Sequence, residues 1–272
     1  MCFAIRHLYK GISLIFVFFV IHFKLKKLFF FSKNKPVLKD LIPSDYVDIH
    51  SHLLPGIDDG SPTFQHTLEL MQSLQNIGMS QFITTPHIMS LVWNNTKESV
   101  SAVRDQTKQE LERNNFVAPF RAAAEYMMDE QFVKLFKAGE LLTLKDNFVL
   151  VEMSYINAPM QLYDLLFDLQ VAGYIPVLAH PERYVFYHKN FQEYEKLKRV
   201  GCHFQLNLLA TVGYYGEPIA KVAEQLLQKG LYDFVGSDVH HSKHVAFFDE
   251  KVKIKQVDLL KEVIANNQFF RI

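Results

Sequence analysis

Short apolar runs alternate with amphipathic segments from Asp45 to the end of the chain, and this alternation restricts the fold more than any other feature. The apolar runs predict strands at residues 46–50, 81–85, 120–124, 148–153, 175–179, 203–207 and 233–237. The amphipathic segments predict helices at residues 63–76, 96–114, 130–138, 160–172, 191–200, 218–228 and 257–265. Seven strand–helix units with short connections predict a parallel α/β fold, either a barrel or a closed relative of one.

The first forty residues differ from the rest of the chain. Residues 12–23 read ISLIFVFFVIHF, and lysines at 24, 26 and 27 precede a second apolar cluster at 28–31. A membrane-spanning helix needs about 20 apolar residues, so three interpretations stay open: an uncleaved anchor, an interfacial helix, or a stretch outside the working protein, translated from a start codon placed too early. We expect a hydrophobic, basic extension at residues 1–40 and the main domain at 41–272. Positive charges are more numerous after the run, so an anchor at residues 12–31 would keep that domain cytoplasmic, at the inner membrane.

Charge and cysteine content argue against some classes of function. The 29 Lys and Arg residues balance the 29 Asp and Glu residues, whereas a general nucleic-acid binder carries a net basic surface. We therefore expect no nucleic-acid partner. Cys2 and Cys202 lie far apart and supply neither a disulfide framework nor a thiolate metal site, which is typical of a reducing compartment.

Two histidines, His50 and His52, end the first predicted strand, and residues two apart in a strand project to the same side. Asp238 and His240 form a second such pair at the end of the last strand. Since the first and last strands of a closed barrel are neighbours, we expect the two pairs to face each other.

Polar side chains also end four of the strands between these pairs: His87, Glu125, Glu152 and His180. The sixth strand supplies no obvious ligand. Taken singly, a rim histidine is more often a hydrogen-bonded structural group than a ligand, and Asp58 and Asp59 before a glycine are typical of a turn. A buried, unpaired Glu152 would cost several kcal/mol. Because five histidines and three or four carboxylates converge with few cations nearby, two or more divalent metal ions balance the charge best.

Imidazole and carboxylate ligands without thiolate suit Mn, Fe or Zn. Clustered ions about 3.5–4 Å apart lower the pKa of a bridging water toward ~7 and clamp a tetrahedral centre, so the ligand set favours phosphate-ester hydrolysis. Arg183 follows His180 by three residues, and its planar guanidinium fits phosphate oxygens bidentately. Its alternative role is a salt bridge with Glu182 or a neighbour.

Seven motifs, in this order along the chain, resemble a known superfamily. They are His-x-His at 50–52, Pro-Gly-Ile-Asp-Asp-Gly at 55–60, Thr-Pro-His at 85–87, Ala-Glu-Tyr at 124–126, Val-Glu-Met at 151–153, Ala-His-Pro-Glu-Arg-Tyr at 179–184 and Ser-Asp-Val-His at 237–240. From residue 46 onward the chain resembles the PHP (polymerase and histidinol phosphatase) superfamily, and within it the bacterial tyrosine-protein phosphatases of capsule and exopolysaccharide loci. The resemblance implies a distorted (β/α)7, TIM-like barrel and a trinuclear site, often with manganese.

Transferred residue by residue, the resemblance implies nine metal ligands: His50, His52, Asp59, His87, Glu125, Glu152, His180, Asp238 and His240. Arg183 matches the catalytic arginine that contacts phosphate. The family's second arginine, shortly after the last metal histidine, is missing, so Lys243 or His244 would supply that substrate-binding charge. The implied reaction is hydrolysis of phosphotyrosine by a metal-bridging hydroxide without a phospho-enzyme intermediate. The implied partner is a phosphotyrosine protein, an autophosphorylating tyrosine kinase that controls polysaccharide assembly and export.

Other functions stay open at this point. A small-molecule phosphatase of the same superfamily, acting on histidinol phosphate, would share every metal ligand and need a deeper, more acidic pocket. A nucleic-acid phosphoesterase is disfavoured by the neutral charge, and a catalytically silent adaptor would lack ligands. Four tyrosines in the loops after strands four to six either wall a pocket for a phosphotyrosine ring or simply pack: Tyr155, Tyr184, Tyr214 and Tyr215.

Overall fold

The computed structural model describes residues 34–272. Residues 12–31, for which an anchor is one of three interpretations, lie outside the described residues. Pro36–Ile272 form one structural unit. Within this part of the chain, no helix is long and apolar enough to cross a membrane. The domain boundary at residue 40 stays a prediction.

The strands pair in parallel, as the sequence predicts. They are β1 (Tyr46–Asp48), β2 (Met79–Thr84), β3 (His87–Ile88), β4 (Phe120–Ala122), β5 (Glu125–Met127), β6 (Phe148–Glu152), β7 (Ile175–Ala179), β8 (His203–Asn207) and β9 (Phe234–Gly236). The predicted strands at 175–179 and 203–207 match β7 and β8 residue for residue. The predicted second strand, 81–85, overlaps β2, and β3 is an additional strand beyond its end. The predicted third strand, 120–124, overlaps β4, and β5 is an additional strand after it.

Helices follow the strands close to the predicted bounds. They are α1 (Phe64–Asn76), α2 (Lys97–Arg113), α3 (Glu130–Ala138), α4 (Leu162–Val171), α5 (Phe191–Arg199), α6 (Leu208–Thr211), α7 (Glu217–Gln228), α8 (Ser242–Ala246) and α9 (Val257–Asn266). Short polar side chains begin three of them: Thr63 and Asp129 accept from backbone N–H groups of α1 and α3, and Thr96 forms a capping box with Ser99. Gly139 ends α3 with a φ of 72°, the left-handed conformation that glycine adopts without strain.

The described strands form two sheets, with the orders β1-β2-β4 and β3-β5-β6-β7-β8-β9, and no closed barrel is found among them. The division between β2 and β3 falls at Pro86, which has no N–H to donate to a neighbouring strand. Beyond the ends of β1 and β9, Ser51 and Val239 form a single parallel bridge. The first and last strands are therefore neighbours at their carboxyl ends, as predicted.

Side chains from both sheets share one buried cluster. It contains Val47 and Ile83 from the smaller sheet and Leu150, Val177 and Ala179 from the larger one. A larger apolar cluster lies between the sheets and the helices. Because apolar side chains fill both faces of the strands, the polar residues at the carboxyl ends stand on a rigid base.

Candidate metal centre

The nine side chains predicted as ligands lie at or just beyond the carboxyl ends of the strands, where they form four overlapping clusters. Within each cluster the ligand atoms lie within 4.8 Å of one another. The first cluster is His52 with Asp59, His87 and His240; the others are His50 with Glu125 and His180, His50 with His52 and Asp238, and His87 with Glu125 and Glu152. Since several residues belong to two clusters, the clusters form one continuous site.

Two of these residues leave their strands with a left-handed backbone. His180 after β7 has a φ of 37°, and Asp238 after β9 has a φ of 51°. This conformation costs a non-glycine residue about 1–3 kcal/mol and is found mostly where the surrounding structure enforces it, as in active sites. The backbone strain therefore coincides with the predicted metal site.

His50 and His52 each have one ring nitrogen fixed by a buried acceptor. His50 Nδ1 lies 2.7 Å from Gln205 Oε1, and His52 Nδ1 lies 2.8 Å from Asp58 Oδ2. Because Gln205 Oε1 and Asp58 Oδ2 are both hydrogen-bond acceptors, both Nδ1 atoms are donors. In the neutral rings the Nε2 atoms therefore carry lone pairs. The two Nε2 atoms face each other at 3.4 Å. Lone pairs at this separation require a proton or a metal cation between them.

Glu125 lies at the centre of the site and is fully buried. Its Oε2 lies 3.2 Å from His50 Nε2 and 3.3 Å from His87 Nδ1. Its Oε1 lies 2.9 Å from His180 Nε2. Glu125 therefore belongs to two of the four clusters.

Several buried atoms of the site have no hydrogen-bond partner: His87 Nδ1, Glu125 Oε2, Glu152 Oε1 and His180 Nδ1. His87 Nδ1 and Glu152 Oε1 lie 2.9 Å apart without hydrogen-bond geometry. Leaving such groups buried and unpaired costs roughly 1–3 kcal/mol each, and more for a charged carboxylate. Imidazole and carboxylate donors suit divalent transition-metal ions. The residues present therefore fit bound divalent ions.

Burial and neighbouring charges shift the histidine pKa values in opposite directions. Burial lowers the pKa of His50, but the carboxylates of Glu125 and Asp238 outweigh it and raise that pKa to about 9. Burial, and then the charge of Arg183, lower the pKa of His180 to about 4. His180 is therefore neutral at physiological pH and offers a lone pair, whereas His50 binds a proton tightly unless another cation replaces it.

Arg183, the predicted phosphate ligand, lies between two tyrosine rings. Its guanidinium carbon is 4.7 Å from the ring centroid of Tyr155 and 4.4 Å from that of Tyr215. Its Nη1 donates to Asp238 Oδ2 at 2.9 Å, so its ion pair is with a predicted ligand rather than with Glu182. The side chain keeps 21% of its surface exposed. Stacking on both faces fixes the plane of the guanidinium.

A cavity of about 600 Å³ opens above the ligands, within the range of roughly 300–1,000 Å³ that small-ligand sites occupy. Tyr155 and Tyr215 line it, as predicted. Tyr184 and Tyr214 do not line it, so for these two the packing alternative holds. The Tyr184 hydroxyl is buried and donates to Ala179 O, and Tyr214 packs against His244.

Of the two residues predicted to replace the second arginine, His244 and Lys243, one lines the cavity and the other does not. His244 lines the cavity, but burial and the neighbouring His241 lower its pKa to about 4, so it is uncharged at neutral pH. Lys243 does not line the cavity, and its ammonium lies 5.9 Å from the ring centroid of Tyr214. Of the lysines and arginines in residues 34–272, Arg183 alone lines the cavity.

Three residues that hold ligands in place were not predicted as functional: Asp58, Gln205 and Asn207. Besides its bond to His52, Asp58 Oδ2 accepts the backbone N–H of His87 at 3.1 Å. Asn207 Nδ2 donates to Asp238 Oδ2 at 2.7 Å. The sixth predicted strand thus contributes supports rather than ligands. The signal was the alternation of polar and apolar residues along this strand, which places Gln205 and Asn207 on the same side.

A family model described as capsular polysaccharide synthesis, CpsB/CapC, matches residues 46–247. The chain belongs to the CpsB/CapC family. This match contains all nine predicted ligands and Arg183. It confirms the resemblance to proteins of capsule loci that the motifs indicate.

Curated relatives in this family are named as phosphatases. The tyrosine-protein phosphatase YwqE of Bacillus subtilis is 29% identical over 72% of this chain and 78% of its own length. The tyrosine-protein phosphatase CpsB of Streptococcus pneumoniae is 26% identical over 72% of this chain and 83% of its own length. A crystal structure from a study of YwqE and CpsB, described as metal-dependent tyrosine phosphatases, matches with a TM-score of 0.73 at 25% identity, over 82% of this chain and 93% of the matched chain.

Proposed function

We propose that this CpsB/CapC family member is a metal-dependent protein-tyrosine phosphatase of capsular polysaccharide synthesis. The observation that carries the proposal is the continuous set of imidazole and carboxylate clusters beneath a cavity that Arg183 lines. Relatives over most of the chain are named tyrosine-protein phosphatases, and a matching solved structure is described as metal-dependent. The reaction class is hydrolysis of a phosphoric monoester.

We assign nine residues as metal ligands: His50, His52, Asp59, His87, Glu125, Glu152, His180, Asp238 and His240. We propose three divalent ions, with manganese as the native metal and iron or zinc as alternatives of similar ligand preference. Bound ions would supply the acidity that activates a water molecule and the charge that offsets the phosphate oxygens.

We also propose that the two sheets are parts of a distorted seven-stranded barrel of the PHP type. Three contacts support this arrangement. The two sheets meet where Pro86 interrupts one strand, Ser51 and Val239 bridge the first and last strands, and both sheets contribute to one buried cluster. In such a barrel the carboxyl-end rim is where active sites lie.

Arg183 binds and orients the phosphate in this proposal. Tyr155, Tyr215 and Asp238 hold its guanidinium before substrate arrives, so little side-chain entropy is lost on binding. Hydrolysis forms a bond between a water oxygen and phosphorus and breaks the bond from phosphorus to the tyrosyl oxygen. No cysteine lines the cavity in the described residues, so a phosphocysteine intermediate has no nucleophile there. Direct transfer to water is the route that the family resemblance implies.

The physiological substrate we propose is a phosphotyrosine protein, an autophosphorylating tyrosine kinase that governs capsule or exopolysaccharide synthesis. The domain at 41–272 would act on it in the cytoplasm. Both statements depend on the family to which the chain belongs rather than on contacts within the site.

The proposal is tested with the full-length chain loaded with Mn²⁺, by comparing kcat/KM for a phosphotyrosine peptide and for histidinol phosphate. We expect a clear preference for the peptide, loss of activity with chelator, and loss of both metal and activity in His50→Ala. A preference for histidinol phosphate would favour the small-molecule alternative. Activity that survives complete removal of metal would contradict the mechanism.

A further inference from the structure

Outside the assigned ligands His87, Glu125 and Glu152, the rim of the cavity divides into an apolar half and a half that contains Arg183. β3, β5 and β6 are consecutive neighbours in the larger sheet, and β7, β8 and β9 follow them. The first three strands and their loops supply a surface that we name the apolar wall: Met89, Val92, Trp93, Met127 and Ile156. The loops after the last three strands supply Arg183, Tyr215 and the polar residues of 238–244. Strand order therefore places the two halves in different sectors of the rim.

The loop after β3, which supplies most of the apolar wall, is held by its own hydrogen bonds. Met89 N donates to Trp93 O at 3.0 Å, and Trp93 N donates to Met89 O at 2.9 Å, which closes a tight hairpin. Asn95 Nδ2 donates to His87 O at 2.8 Å and to Ile57 O at 2.9 Å. Because His87 is an assigned ligand, this hairpin is fixed relative to the metal site.

Two residues of the apolar wall are exposed to solvent at the cavity. Val92 keeps 59% of its surface exposed and Ile156 keeps 85%. Apolar side chains at the mouth of a polar site indicate contact with an apolar part of a ligand. Leu91, between Met89 and Val92 in the same hairpin, is 93% exposed but does not line the cavity.

We propose that the apolar wall binds the aromatic ring of phosphotyrosine while Arg183 binds its phosphate, so that Val92 and Ile156 set the preference for aryl phosphate esters. This inference rests on the proposed phosphatase function. A tyrosine ring presents a large apolar surface beside the phosphate ester, whereas phosphoserine offers a single methylene.

The acidic side chains around the cavity support the same conclusion. Those that line it are Asp59, Glu125, Glu152 and Asp238. All four belong to the metal clusters. No carboxylate lining the cavity in residues 34–272 is therefore left to bind the amino group of an amino-alcohol phosphate. The site suits an uncharged ring better than an ammonium group.

The experiment uses the full-length, Mn²⁺-loaded protein and the double variant Val92→Ser/Ile156→Ser. Two quantities are measured: kcat/KM for phosphotyrosine, and the inhibition constant of inorganic phosphate, which has no ring. Losing apolar contacts in such a pocket lowers kcat/KM by roughly tenfold or more. We therefore expect about a tenfold fall in kcat/KM and an inhibition constant within about twofold of the wild type. Leu91→Ser is the matched control and should change neither quantity.

The outcomes separate this inference from the function on which it rests. If the wild-type protein hydrolyses phosphotyrosine but the double variant keeps its kcat/KM, the ring does not bind the apolar wall. The inference also fails if the inhibition constant of phosphate rises in parallel with the loss of kcat/KM, because the substitutions then disturb the phosphate or metal site. A wild-type protein that fails to hydrolyse phosphotyrosine would instead overturn the proposed function.

Discussion

Replacing Asp58 by asparagine removes an acceptor from a carboxylate that makes three hydrogen bonds. Oδ2 accepts from His52 Nδ1 at 2.8 Å and from the backbone N–H of His87 at 3.1 Å, and Oδ1 accepts from Gly60 N at 2.9 Å. Asparagine has one oxygen and one amide nitrogen in these two places. If the nitrogen faces Gly60, two donors oppose each other. If it faces His52, the ring must accept at Nδ1, and its proton moves to Nε2, the atom aimed at the metal site.

In either orientation of the amide, His52 is held less firmly and the affinity of the site for metal falls. A hydrogen bond to a charged group contributes about 1.5–3 kcal/mol. Loss of the partner behind a metal-binding histidine typically lowers metal affinity about 10–100-fold. We expect the dissociation constant of Mn²⁺ to rise by this factor in Asp58→Asn. Because the assigned ligands are all still present, saturating metal should restore most of the activity.

Isothermal titration with Mn²⁺ and metal titration of phosphotyrosine hydrolysis measure the two effects. The control variant is Glu69→Gln, which changes an exposed carboxylate on α1 that bonds only to Gln65 on the same helix. It should bind metal like the wild type. An unchanged Mn²⁺ affinity in Asp58→Asn would refute the positioning role of this residue, as would an activity loss that excess metal does not restore.

Three further predictions follow from the site. Arg183→Lys should lower kcat/KM for phosphotyrosine by roughly 10–100-fold, because a lysine cannot bind phosphate as a planar fork, and metal content measured by mass spectrometry should not change. Burial raises the pKa of Glu182 from 4.5 to about 7, so the folded protein holds a proton that the unfolded chain releases, and stability falls as pH rises through this window. In urea unfolding of metal-free protein, the free energy of unfolding of Glu182→Gln relative to the wild type should therefore rise by up to about 3 kcal/mol between pH 5 and 8. If the two proteins show the same pH dependence of stability, this prediction is wrong. Metal removal should lower the unfolding temperature of the wild type. If the metal was present at 100 times its dissociation constant, the free energy of unfolding should fall by about 2.7 kcal/mol.

Much of the fold was predictable because each βα unit carries its own local signals. An apolar run defines β7, and an alternation of polar and apolar residues defines β8. Caps such as Asp129 and glycines such as Gly139 define where helices begin and end. The clustering of eight of the nine assigned ligands was predictable because polar residues at the ends of parallel strands gather at one rim. Asp59, in a turn, was predicted only from the family resemblance.

The rest depends on contacts between segments distant in the chain. The division of the sheet at Pro86 could be suspected from the missing N–H, but the resulting two-sheet arrangement depends on how neighbouring strands pair. The sequence around Asp58 is typical of a turn. Its role in orienting His52 is visible only from the contact between the two side chains. The exposure of Val92 at the cavity likewise follows from packing, because an isolated valine in a loop gives no sequence signal.

The central claim is that one shared set of side chains holds the divalent ions on which phosphotyrosine hydrolysis depends. Glu125 tests it most directly, since its two oxygens face different imidazoles in two of the four clusters. The measurement is metal content per chain and phosphotyrosine kcat/KM on the same preparations of wild type and Glu125→Gln. We predict that the variant loses bound metal and activity together. A variant that keeps full metal content and full activity would contradict the account.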